Sequence, residues 1–270
     1  MLEAILKYSF LQNALISAIF ASILCGIIGV VINEKKLLMM SGGIAHTAYG
    51  GVGLGYLGGF EPILGAGAFA LISAFIIGKI RRNSNKNSDI VIGLLWSLGM
   101  SLGVLFTELM PGYPPDMNSY LFGNILSVTK SDLKIIIILA LIVTSVFIIF
   151  FSALKAFLFD SEFAEIRGLK TAFLEYLLLA LIALSVVALI RIAGIILIIA
   201  LLSAPAACAS IFTKTLKNRI ILAVLFSISF CLIGITISYY LNFSSGTVIV
   251  FTAVLTYFIL SLIGKISKHI

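Results

Sequence analysis

The sequence predicts an all-α fold, a polytopic transmembrane helical bundle of about nine spans in a single domain over residues 1–270. Three observations predict it. Hydrophobic residues make up 61% of the chain and charged residues 11%, whereas a soluble domain carries roughly 25% charged residues, and the mean hydropathy is +1.21. Apolar runs of about 20 residues recur along the whole length, the number of helical residues that crosses a hydrocarbon core of about 30 Å. The basic residues alternate between dense and sparse loops, as the two sides of a multi-pass protein do.

The first span, 11–32, follows acidic Glu3 and runs past Cys25 to Val31 without an A-x-A cleavage site. It is expected to stay in the protein rather than be removed as a leader. The second, 37–58, is rich in glycine. The third and fourth, 62–80 and 89–109, flank a short polar loop at Arg81–Ser88. A longer connection, 110–132, carries Pro111, Pro114, Pro115, Asp116, Asn118 and Asn124, and reads either as a vestibule or docking surface or as a plain surface loop. The fifth span covers 133–151. After a polar connection come the sixth and seventh, 172–190 and 194–213, then the eighth, 219–240, and the ninth, 248–264.

The loops after the odd-numbered spans 1, 3, 5 and 7, with the C-terminal tail, hold Lys35, Lys36, Lys79, Arg81, Arg82, Lys86, Lys155, Arg167, Lys170, Lys214, Lys217, Arg219, Lys265 and Lys268, fourteen of the eighteen basic residues. Lys7, Lys130, Lys134 and Arg191 fall on the other side. The basic side is expected to be cytoplasmic, which puts the N-terminus outside and the C-terminus inside a cytoplasmic membrane. The net charge of +7 therefore does not point to nucleic acid, because the cations are spread over five loops without interleaved aromatics. Cys25, Cys208 and Cys231 lie inside apolar runs without ligand spacing and read as buried small hydrophobes.

Three features carry functional expectations. Within Gly42–Gly59 there are eight glycines, and Gly43, Thr47, Gly51, Gly55 and Gly59 recur every four residues as a stripe suited to close helix packing. His46 lies in the same span, with Gly42, Gly50 and Gly53 near it on the helix surface as pathway-lining or packing residues. A histidine at membrane depth reads either as a hydrogen-bonded interior residue or as part of a metal pathway, since neutral imidazole ligates transition metals.

The second feature is Ala153–Thr171. Asp160 or Ser161 caps a short helix there, Glu162 suits its first turn and Gly168 closes it. Phe159, Phe163 and Ile166 then share one face, and Glu162 and Glu165 another. Such a helix lies on lipid or in a groove of a soluble partner, and its acidic face favours the partner. The third feature is Pro205, which interrupts the apolar run of span 7 and is expected to kink it.

Enzymatic motifs are missing: there is no H-E-x-x-H, no nucleophile elbow and no P-loop, so the chain itself is not expected to hydrolyse ATP. Five segments, in order, resemble the permeases of the zinc/manganese/iron ABC importers: Ser41–Tyr56 (SGGIAHTAYGGVGLGY), Leu121–Leu133 (LFGNILSVTKSDL), Phe159–Leu169 (FDSEFAEIRGL), Gly194–Ala209 (GIILIIALLSAPAACA) and Tyr239–Val250 (YYLNFSSGTVIV). The resemblance implies a homodimer in membrane lipid, cytoplasmic ATP-binding cassette subunits below and an extracytoplasmic metal-binding protein above. It implies a divalent metal, zinc or manganese, as substrate rather than as a permanent cofactor, and it gives Phe159–Gly168 the role of coupling helix to the ATPase. The family's second span reads G-D-x-x-S-H; here the histidine matches His46, while Gly42 stands at the aspartate position and Ala45 at the serine. That departure removes an oxygen ligand and leaves a metal chelate or another small substrate as the alternative. An ion-coupled secondary transporter is a further alternative; it calls for carboxylates within spans, yet Asp89, Glu108 and Glu175 lie near predicted span ends.

Overall fold

The computed structural model describes residues 7–83, 88–112, 117–123, 125–241 and 243–266, and every regular element among them is helical. Residues 84–87, 113–116 and 124, which hold Lys86, Pro114, Pro115, Asp116 and Asn124 of the expected loops, lie outside the described residues, as does Lys268 in the tail. The long helices are α1 (Ser9–Glu34), α2 (Leu38–Gly58), α3 (Pro62–Asn83) and α4 (Ser88–Glu108). A short helix α5 (Asn118–Phe122) and a 3₁₀ turn (Ile125–Ser127) lead into α6 (Lys130–Ile149). Two short helices, α7 (Phe151–Phe159) and α8 (Ser161–Ile166), precede α9 (Thr171–Phe212), α10 (Leu216–Leu241) and α11 (Ser245–Ile266).

Eight stretches of these helices are long and apolar enough to cross a bilayer, with α9 supplying two of them, Thr171–Ile190 and Ile192–Phe212. The expected second span is the one that falls outside this set. At 21 residues α2 has the length, about 31 Å at 1.5 Å per residue, but its glycines dilute its apolarity. It is enclosed instead, buried without a break from Met40 to Gly53 and packed on α4, α3 and α9.

The local chemistry explains the ends. Lys36 closes α1 with a left-handed φ of 55°, and Leu37 N–H reaches back to Ile32 O at 2.8 Å. Gly59, at φ 68°, closes α2 in the same manner, with Phe60 N–H donating to Gly55 O. Thr129 and Asp132 form a reciprocal capping box that starts α6. The connection before it is no plain surface loop: Met117, Tyr120, Ile125 and Val128 are buried in the bundle.

Within α9 the chain breaks at Gly194 (φ 72°, ψ 160°), at the junction the sequence leaves between spans 6 and 7, while the φ/ψ values around Pro205 stay helical, so the kink expected there is not made by a break in the backbone. Only glycine readily adopts that backbone geometry. Its two arms run in opposite directions, because Glu175 near the start pairs with Arg81 and Arg82 (3.9 and 3.5 Å), and Arg219 beyond the end pairs with Glu34. Both ends of α9 therefore lie where α1 and α3 end. At the opposite end of the bundle the Gly194 turn is pressed against Gly123: a Cβ on Gly194 would sit 2.3 Å from Gly123 N. Gly194→Ala is accordingly expected to cost about 3 kcal/mol or more, from strain plus backbone collision, read as a lower unfolding temperature and lower yield of the solubilised protein.

Cys25, Cys208 and Cys231 are free and buried. The Ser22 hydroxyl donates to the Cys231 sulfur at 3.7 Å, a contact within the packed interior.

Candidate functional site

The glycines of α2 bring α4 against it backbone to backbone. A Cβ at Gly50 would lie 2.8 Å from Gly99 O, one at Gly53 2.7 Å from Gly103 O, and one at Gly99 2.3 Å from Thr47 Cα. On the α3 side, a Cβ at Gly51 would meet the Gly65 backbone. The Thr47 hydroxyl ties the α2–α4 pair, donating to Gly43 O at 2.7 Å in its own helix and to Leu95 O at 3.1 Å across the contact.

This approach sets the surroundings of His46. Its ring, 7% exposed, stacks on Trp96 with centroids 3.8 Å apart and planes 14° apart, and its Nδ1 lies 3.4 Å from Met100 Sδ. Trp96 and Met100 are one turn apart on α4 and so share a face. Gly42, one turn before His46, has no carboxylate to offer, and its place is closed: a Cβ there would be 3.3 Å from both Trp96 Cζ3 and Ile199 Cδ1. The space beside Gly42 is occupied by an indole and an isoleucine. Among the described residues, no group of three or more His, Cys, Asp or Glu side chains is placed to hold a metal. Met100, Ser101, Val104, Leu105 and Glu108 border an open, shallow concavity of about 390 Å³ on one face of α4.

The other expected site lies at the opposite end of the bundle. Asp160 caps α8, its Oδ1 accepting from the Glu162 and Phe163 amides at 3.0 Å each. Gly168 closes it at φ 77°, with Gly168 N–H to Glu165 O at 2.9 Å and Leu169 N–H to Ala164 O at 3.0 Å. Phe159, Phe163 and Ile166 are exposed, Ile166 to 84%. Glu162 and Glu165, both exposed, border an open cavity of about 230 Å³ with Lys35, Arg81, Arg82 and Glu175. Burial and the neighbouring Arg81 pull the Lys35 ammonium below its ordinary pKa, against Glu175 and Asp160, which act the other way. Its ammonium lies 4.2 Å from the centre of the Phe157 ring.

The structure thus keeps His46 and the α8 residues in two separate places, one inside the bundle and one at its basic end. Pro205 belongs to neither and lies in the second arm of α9. Sequence reasoning missed Trp96 and Met100. Their i, i+4 spacing and the single tryptophan of the chain were visible, but what faces them is decided by the α2–α4 contact.

A bundle of this kind, apolar throughout and built around one enclosed glycine-rich helix, is a multi-pass integral membrane protein of the cell membrane. The sequence profile of the ABC 3 transport family matches residues 7–264, and the chain belongs to that family as a transmembrane permease. It is 38% identical to an uncharacterized membrane protein of Synechocystis over 96% of this chain and 93% of that one. It is 35% identical to the manganese transport system membrane protein MntC of Listeria monocytogenes, over 96% and 92% of the two chains. The structure of PsaBC from Streptococcus pneumoniae in complex with Fab contains a chain of the same fold, with TM-score 0.87 and 34% identity over 96% of this chain and 93% of that one.

Proposed function

We propose that this chain is the membrane-spanning subunit of an ATP-driven importer of a divalent metal ion, zinc or manganese. The observation that carries the reading is α8, a doubly capped helix at the basic end of the bundle whose Phe163 and Ile166 side chains stay exposed, with the Arg167 guanidinium over the Phe163 ring at 4.7 Å. In this reading α8 docks in a cleft of a separate ATPase subunit, and the Glu162/Glu165 side transmits its motion through the cavity shared with Arg81, Arg82 and Glu175. An extracytoplasmic binding protein delivers the ion at the other end, α2 is the ninth span, and two copies of the chain enclose the route. The outward face of α4 supports the second copy, because Ser97 and Ser101 are exposed there and polar groups at membrane depth seldom face lipid. The family membership and the manganese transport named for the Listeria relative support the substrate class.

The test is uptake into vesicles holding the chain with its ATPase and binding protein, scanned across divalent metals with and without ATP. Metal uptake that ignores ATP sinks the reading. Orientation is tested separately. With the native cysteines buried, Ser161→Cys is expected to react with an impermeant thiol reagent only from the cytoplasm, and Glu61→Cys, on the opposite loop, only from outside. The reverse pattern inverts the topology.

A further inference from the structure

We propose that the Met100 thioether is a ligand for the transported ion beside His46, and that this nitrogen–sulfur pair makes the pathway selective for zinc over manganese. The inference rests on the divalent-metal reading above and deepens it. His46 Nδ1 and Met100 Sδ lie 3.4 Å apart. An ion bound tetrahedrally at about 2.05 Å from nitrogen, with a thioether sulfur slightly beyond the about 2.3 Å of a thiolate, separates the two donors by a little more than about 3.5 Å, so the pair needs only a small opening to span zinc. The surroundings offer no competing oxygen donor from position 42: Gly42 carries no side chain, and Trp96 and Ile199 fill its vicinity. The indole stacked on the imidazole holds the ring in place.

Donor chemistry then fixes the preference. Imidazole and thioether are borderline and soft ligands that suit zinc, whereas manganese takes carboxylate, carbonyl and water oxygens. A weak neutral thioether also lets the ion leave, which a transport route needs and a storage site does not. Met100 itself is half-buried and borders an open concavity on the outer face of α4. Water, or the matching pair of the second copy, supplies the remaining ligands; two pairs give N₂S₂, a tetrahedral zinc set.

Two measurements on the assembled complex test this. First, initial ATP-driven uptake of zinc and manganese is compared for wild type, Met100→Leu and Met100→Gln. Leucine keeps the side-chain volume and removes the sulfur; glutamine offers an oxygen instead. Wild type is expected to prefer zinc, Met100→Leu to lose at least tenfold of the zinc-to-manganese ratio, and Met100→Gln to shift the ratio further toward manganese. Second, zinc-edge X-ray absorption of the zinc-loaded wild-type complex, which needs no variant to fold, is expected to show a sulfur neighbour slightly beyond the about 2.3 Å of a zinc–thiolate bond. A shell of nitrogen and oxygen alone, or an unchanged ratio in Met100→Leu, overturns the pair and leaves the importer reading standing. A wild-type complex that imports manganese as readily as zinc does the same. If wild type takes up no metal with ATP, the importer reading itself fails.

Discussion

Phe163→Asp is expected to abolish ATP-driven uptake while leaving the permease folded. Phe163 is 46% exposed and stands with exposed Ile166 on α8, while Phe159, which the sequence put on the same face, ends α7 before the extended Asp160. Its loss removes little from the bundle, since the helix is held by the Asp160 cap, the Gly168 closure and the packing of buried Ala164. A carboxylate forced into an apolar cleft of a partner is a different matter, because an unpaired charge is costly to bury. Losing an aromatic anchor at the centre of an interface commonly costs about 2 kcal/mol or more, and adding the charge brings the expected loss to about 3 kcal/mol, roughly a hundredfold in affinity. The measurement is co-purification of the ATPase subunit with the variant, alongside uptake. Unchanged co-purification and unchanged uptake would remove α8 from the coupling role.

That helix was legible from sequence almost to the residue, because its signals are local. An Asx cap, an acidic first turn and a glycine in the left-handed region act within ten residues of chain, and no tertiary contact overrides them. Eight of the nine expected spans were legible for the same reason, since apolar length is a property of each segment; glycine-rich α2 is the exception. The differences arise where the answer lies in a partner helix. Pro205 was expected to kink span 7, but the backbone around it stays helical; the reversal between spans 6 and 7 was legible, while its tight form at Gly194, pressed against Gly123 from another segment, was not. The connection at 117–128 was open between surface loop and vestibule; its inward turn depends on Tyr120 and Ile125 finding room beside α9 and α1, which no local pattern announces. The same limit hid Met100. His46 and the glycines of α2 were conspicuous, but the identity of the second donor depends on the register in which α4 lies against α2, set by Gly99 meeting Thr47 and Gly103 meeting Tyr49.

His46→Ala is expected to reduce zinc uptake by a hundredfold or so in a complex that still assembles. Removing a group that merely supports a metal ligand costs about 10–100-fold, and a ligand itself should cost at least as much. A packing role predicts something else. The ring is buried and stacked on Trp96, so alanine leaves a cavity, and a purely structural histidine would show its loss as lower thermal stability and lower expression, with uptake per assembled complex preserved. Comparing rates at matched amounts of complex separates the two. His46→Cys sharpens the comparison, because a thiolate ligates zinc but cannot reproduce the flat stack on the indole. If His46→Cys regains zinc uptake that His46→Ala has lost, the residue acts through its donor atom. If both variants transport at the wild-type rate, the ion does not pass His46, and its route lies elsewhere.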